Sequence, residues 1–112
     1  MTDDTGLRRA LVTGASRGIG AAIAHELGVR GFDVVVNYRS DDSSAANVVD
    51  RIIAAGGRAR ASRFDVADAQ ACATALAQLV GVGGHFDVVV NNAGVTRDAP
   101  FPALEREGWD VV

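Results

Sequence analysis

The residues with the clearest chemical potential lie together near the start of the chain, in Thr13-Gly14-Ala15-Ser16-Arg17-Gly18-Ile19-Gly20. Three glycines in this spacing serve separate purposes. Gly14 permits a tight turn out of a strand. Gly18 lets main chain approach an anion without a Cβ in the way. Gly20 lets a following helix pack close to the strand. A turn that served packing alone would need one glycine, so the spacing points to a phosphate held at a helix N-terminus, where unpaired amides and the helix dipole favour negative charge. The spacing is not that of a P-loop, which also needs a lysine. All 11 basic residues here are arginine.

The context supports this chemistry. Ala10-Leu11-Val12 precedes the glycines, and Val34-Val35-Val36 and Val88-Val89-Val90 are similar apolar runs. β-branched runs without polar alternation suit strands covered on both faces. Helical spacing lies between them. Ile19, Ala22, Ile23 and Leu27 define an expected first apolar face, closed by Gly31; Val48, Val49, Ile52 and Ile53 define a second, closed by Gly56-Gly57. Asp68 is placed to cap a third helix, with Cys72, Ala73, Leu76, Leu79 and Val80 facing inward and Gly81, Gly83 and Gly84 ending it. Arg58 to Phe64 reads as an edge strand protected by Arg58, Arg60 and Arg63. The order is β-α-β-α-β-α-β followed by a tail, which implies an α/β fold with a parallel sheet and right-handed crossovers. Pro100 and Pro102 mark a loop, and Leu104 to Val112 is expected to begin another helix.

Composition narrows the possible classes. The 112 residues are 48% hydrophobic and 22% charged, as in an ordinary globular chain of at most one domain. A net charge of −3 argues against binding that depends on neutralising nucleic-acid phosphates. One cysteine cannot build a disulfide framework, and Cys72 reads as a small buried hydrophobe. His25 and His85 have no second ligand nearby in sequence, and no metal-site spacing occurs. Phe101 and Trp109 read as core or interface aromatics. The polar N-terminus lacks the features of a signal peptide, and no apolar run approaches the roughly 18 residues that span a bilayer. The expected location is the cytoplasm.

Two further stretches join the glycine loop. Asp65-Val66 follows the third strand, and Asn91-Asn92-Ala93-Gly94 ends the fourth. With Thr-Gly-x-x-x-Gly-x-Gly, in this order and spacing, the chain from residue 8 to 112 resembles the short-chain dehydrogenase/reductase family, and within it the 3-oxoacyl-(acyl-carrier-protein) reductases. The resemblance implies a Rossmann-like doubly wound sheet with strand order 3-2-1-4, and a nicotinamide dinucleotide as cofactor. It places Gly14, Ser16, Arg17, Gly18, Ile19 and Gly20 around the pyrophosphate. Asn37, Tyr38 and Arg39 fall beside the adenosine ribose, Asp65 and Val66 beside the adenine, and Asn91, Ala93 and Gly94 beside the nicotinamide ribose. NAD-preferring relatives carry an acid where this chain has Tyr38. Here Arg39 follows at once and Arg17 faces the same pocket, so the expected cofactor is NADP(H), whose 2′-phosphate suits the planar guanidinium fork.

The family's acid-base pair is Tyr-x-x-x-Lys. No lysine is present, and the single tyrosine, Tyr38, lies on the second strand. No catalytic residue is therefore assigned. Residues 1–112 are expected to be an incomplete NADP-binding domain, inactive alone, from a parent that reduces a 3-oxoacyl thioester, free or carrier-bound, in fatty-acid or polyketide-type synthesis. That parent is expected to be a homotetramer without nucleic-acid or membrane partners. The alternatives are a non-catalytic nucleotide-binding module or a non-functional product. The fourth strand, Phe86 to Asn91, is expected to leave a bare apolar edge and to promote self-association.

Overall fold

The computed structural model describes residues 8–92 and the backbone of 110–111. Its strands and helices alternate: β1 Arg9–Val12, α1 Gly18–Val29, β2 Asp33–Tyr38, α2 Asp42–Ala54, β3 Arg58–Arg63, α3 Ala69–Gly83, β4 Val88–Val90 and β5 Asp110–Val111. All the pairings are parallel, and the sheet order is β3-β2-β1-β4-β5. The expected order of the first four strands is thus observed. The direction of winding reverses at β1, which lies between β2 and β4. Ligands of such sheets bind in the crevice at the carboxyl ends of the strands flanking that reversal.

The sheet is covered on both faces. Val34, Val36, Ala24, Val48 and Ile52 form one core with α1 and α2, while Leu11, Val35, Cys72, Leu76, Leu79 and Phe86 form the other with α3. This two-sided burial explains the apolar runs in β1, β2 and β4. β3 is the edge, and Arg58, Arg60 and Arg63 are exposed on it, as expected from their charge.

The tail and the inward helix faces differ from expectation. Asp110–Val111 is not helical: it forms β5, pairing Val88 with Asp110 and Val89 with Val111. β4 therefore has a neighbour along part of the edge expected to be bare. Residues 104–109 of the expected helix lie outside the described residues. The second correction concerns α1. Its buried positions are Gly20, Ala24 and Gly28, spaced four apart, whereas Ile19 is 73% exposed and Ile23 and Leu27 only flank the core. A methyl on Gly28 would overlap the Ile52 side chain of α2, so close helix packing selects the smallest residues at the contact. Ala22, Ile53 and Ala73, also expected inside, are exposed.

Arg9 fastens the amino end of the sheet. It is 2% exposed, and its Nη1 donates to the Leu79 carbonyl at 3.1 Å and to that of Gly84 at the end of α3. Its guanidinium lies 4.5 Å from the Phe86 ring centroid, a cation–π contact. A cation here satisfies carbonyls that a helix C-terminus leaves unpaired.

Cys72 is fully buried on α3, as expected for a packing residue, and burial pushes its thiol up to about 11. Thiol reactivity requires the thiolate. In the native protein at pH 8, Ellman's reagent should therefore modify Cys72 far more slowly than in denaturant; equal rates would contradict its burial. The raised value also has a stability consequence. Its contribution is complete below the unfolded thiol's ordinary value and is lost as pH rises through about 11.

Candidate functional site

The glycine segment forms the turn between β1 and α1. Gly14 and Gly18 have φ of +60° and +64°, the left-handed region that glycine occupies without strain. A Cβ on Gly18 would meet no protein atom within 4 Å, so this backbone faces open space. Gly20 differs: a Cβ there would overlap the Gly14 carbonyl oxygen and Asn92 Nδ2. Gly20 therefore permits the start of α1 to lie against the turn that precedes it and against the end of β4.

α1 begins at the Arg17 N-cap with no side-chain acceptor for its first amides. The other two helices are capped by aspartates. Asp41 Oδ1 accepts from Ser44 N at 3.0 Å, and Asp68 Oδ1 accepts from Ala71 N at 3.0 Å. The amides at the start of α1 thus remain available to an anion.

Side chains hold this turn in place from behind. Asn37 is 2% exposed; its Oδ1 accepts from Gly14 N at 3.1 Å, and its Nδ2 donates to the Ser62 and Phe64 carbonyls at 3.3 and 3.0 Å. Its main-chain carbonyl accepts from Ala15 N at 2.8 Å. All its side-chain hydrogen-bonding groups are engaged by protein, so Asn37 builds the loop rather than facing a ligand beside the ribose. Thr13 and Asn92 tie the same turn to β4. Asn92 N donates to Thr13 Oγ1 at 2.9 Å, and Asn92 Nδ2 donates to the Gly14 carbonyl at 3.2 Å. Thr13 Oγ1 also lies 3.4 Å from Asn91 Oδ1.

Gly14, Ser16, Arg17, Tyr38, Arg39, Ser40, Asp41 and Asn92 line a cleft of about 520 Å³, within the size range of small-molecule sites. Four of the expected positions, Ser16, Arg17, Tyr38 and Arg39, thus share one cavity with Gly14. Ile19 is exposed one residue into α1. Asp65 lies beyond the lining. Its Oδ1 accepts from Ala67 N at 2.9 Å, and its Oδ2 is 3.8 Å from Arg39 Nε. The Val66 side chain is buried in the α3 core, leaving only its main chain for a ligand. Ala93 and Gly94 lie outside the described residues. Ser40, Asp41 and Asn92 were missed as lining residues. The doubled Asn91-Asn92 offered a signal, because neighbours in extended chain point to opposite sides and only one could be assigned.

The acids near the cleft are already engaged. The hydroxyl and amide of Ser44, with Ser43 and the charge of Arg17, hold the Asp41 carboxyl below its ordinary range despite some desolvation. Tyr38 donates its hydroxyl to Asp42 Oδ1 at 2.6 Å. That bond, with desolvation and the Asp42 charge, raises the phenol's pKa, so Tyr38 stays protonated at neutral pH. The remaining rim groups are the guanidinium of Arg17 and that of Arg39, 80% exposed on its side chain. The cleft carries two arginines, and next to Arg17 on its wall the chain continues into the open Gly18 backbone and the uncapped start of α1. That donor set fits a phosphorylated dinucleotide.

Residues 8–112 match the family model described as short chain dehydrogenase. Over 105 residues the chain is 43% identical to a 3-oxoacyl-(acyl-carrier-protein) reductase of Staphylococcus aureus, covering 94% of this chain and 43% of that protein. It is 46% identical over 103 residues to a short-chain reductase protein, NovJ, of Streptomyces niveus, covering 92% and 39%. Among solved structures, a metagenomic short-chain oxidoreductase in complex with NADP superposes with a TM-score of 0.75 at 45% identity, over 79% of this chain and 39% of that one. The angucycline C-6 ketoreductase LanV with bound NADP gives 0.70 at 39% identity, over 79% and 37%. The chain spans about two fifths of the length of these relatives.

Proposed function

Because the chain belongs to the short-chain dehydrogenase family, we propose that residues 1–112 contain the NADP(H)-binding part of an oxidoreductase, and that the intact protein uses NADPH to reduce a 3-oxoacyl thioester to its 3-hydroxyacyl form. The observation that carries the cofactor reading is the rim of the cleft. Arg17 and Arg39 are its cations, while Asp41 is occupied in capping α2 and Asp42 receives the Tyr38 hydroxyl. No carboxylate takes the Tyr38 position to bind ribose hydroxyls and repel a 2′-phosphate. The relatives support the same choice: both solved structures named above hold NADP.

NADPH supplies the hydride when bound. The chain's own residues hold it. The α1 amides and the Gly14–Gly20 turn receive the pyrophosphate. Arg17 and Arg39 receive the 2′-phosphate. By the family resemblance Asp65 and the Val66 main chain would flank the adenine and Asn91 would adjoin the nicotinamide ribose; Ala93 and Gly94, given the same role, lie outside the described residues. Asn92 and Asn37 keep the turn in shape. The proton on the substrate oxygen must come from a group with a suitably tuned pKa within hydrogen-bond reach. A Tyr-x-x-x-Lys pair cannot be drawn from these 112 residues, which hold no lysine. We assign the proton transfer to residues outside them and expect the 112-residue chain alone to be inactive. The carrier-bound substrate belongs to this same reading, after the reductase matched above; the homo-oligomer and the cytoplasmic location belong to it as expectations of the family resemblance. Among the described residues, no helix is long and apolar enough to cross a membrane.

Arg39→Asp in the intact protein tests the cofactor reading. It removes a charge-assisted contact and adds repulsion, so the NADPH-over-NADH preference in kcat/KM should fall about a hundredfold, roughly 3 kcal/mol. An unchanged preference would remove Arg39 from the site.

A further inference from the structure

We propose that Arg63, at the end of β3, is a positioning and specificity residue for the same anion pocket, acting as a third cation and holding Arg39 in place. The inference rests on the reading of the cleft as a 2′-phosphate site. Arg63 Nε donates to the main-chain carbonyl of Arg39 at 3.1 Å. The sheet register makes this contact possible, because Tyr38 pairs with Arg63 across β2 and β3. The carbonyl of Arg39 lies just past the last residue of β2, where chain leaving a strand has no ladder partner of its own. Arg63 supplies one, and so fixes the backbone from which the Arg39 side chain projects.

A second contact from the same strand end restrains that side chain. Asp65 Oδ2 lies 3.8 Å from Arg39 Nε. Arg39 is thus held twice by the chain leaving β3, once at its carbonyl and once at its guanidinium. Both contacts leave its terminal guanidinium nitrogens for a ligand. The charge of Arg63 also reaches the cleft wall: it lowers the pKa of the Tyr38 phenol, against the larger upward effect of Asp42. Arg63 is exposed, as are the other two arginines of β3, but it alone of the three bonds to a residue lining the cleft. Protection of a sheet edge by charge accounts for Arg58 and Arg60 and leaves the Arg63–Arg39 contact unexplained.

The test measures calorimetric binding of adenosine 2′,5′-bisphosphate and 5′-AMP to the intact protein and to Arg63→Met, Arg63→Lys and Arg39→Ala variants. Arg63→Met should weaken the bisphosphate about three- to fivefold, the range of an exposed charge contact, and leave 5′-AMP unchanged. That loss should shrink at high salt, because the ligand and the cation are both solvent-exposed. Arg63→Lys should recover most of the preference. Equal weakening of both ligands would show a merely structural residue and overturn the proposal. So would a wild-type ratio in Arg63→Met alongside a lost ratio in Arg39→Ala. A wild-type protein that does not distinguish the two ligands would instead overturn the 2′-phosphate reading itself, and the role of Arg63 with it.

Discussion

Gly20→Ala should abolish measurable binding of NADPH by the intact protein and lower its stability by about 1–3 kcal/mol, the range for forcing a methyl group into filled space. The added Cβ falls on the Gly14 carbonyl oxygen and Asn92 Nδ2, which are themselves hydrogen-bonded at 3.2 Å. Main chain cannot swing aside as the end of a long side chain can. The start of α1 must withdraw from the turn, or the Gly14–Asn92 bond must open. Either change moves the α1 amides relative to Gly14, and a misplacement of about 1 Å in such a site costs on the order of a hundredfold. Gly18→Ala is the contrasting case. Its Cβ meets no protein atom within 4 Å, but its φ of +64° costs an L-residue about 1–2 kcal/mol, and the methyl would stand on the open side from which the pyrophosphate approaches. Fluorescence titration with NADPH should therefore show binding lost in both variants, and thermal melts without cofactor measure the packing clash of Gly20→Ala and the backbone strain of Gly18→Ala. Wild-type affinity in Gly20→Ala would show that the contact is not binding-critical.

The contrast between these glycines marks what was legible in the sequence. Their spacing identified the turn, and the strand before it and helix after it gave it a context. Which glycine met protein and which met open space depended on Asn92, 72 positions away in the chain. The inward face of α1 was misread for a related reason. Hydrophobicity favours Ile19 and Ile23, whereas the observed contact at Gly28 and Ile52 rewards small size. β3 was read correctly as an edge because its arginines have a local reason to be there. β5 was missed because it consists of two residues, and among the described residues its support is the pairing with β4. Arg9 gave no local sign of burial either: its partners come from α3, Phe86 and Asp33.

Asn37 shows how two neighbours at one strand end can face different ways. It lies one residue before Tyr38, and both stand at the end of β2, where family resemblance places cofactor contacts. Tyr38 reaches the cleft, and Asn37 points into the structure beneath the turn. Asn37→Ala removes one acceptor and two donors at once. It leaves Gly14 N and the Ser62 and Phe64 carbonyls without their partner. Each unsatisfied buried group costs about 1–3 kcal/mol, and partial hydration of the new cavity offsets some of that sum. A net loss of about 3 kcal/mol is expected from denaturant melts. Asn37→Asp should be worse at neutral pH, because a carboxylate can accept from Gly14 N but would face two carbonyl oxygens. Burial among acceptors raises the folded-state pKa of that aspartate. Its stability should therefore be greatest below the unfolded value of about 3.9 and decline as pH rises through the folded one. Binding separates support from contact. Asn37→Ala should weaken NADP and NAD by the same factor, since the displaced turn serves the pyrophosphate common to both. Arg39→Asp should change their ratio. If Asn37→Ala melts like the wild type, or weakens NADP alone, the assignment of Asn37 to the scaffold is wrong.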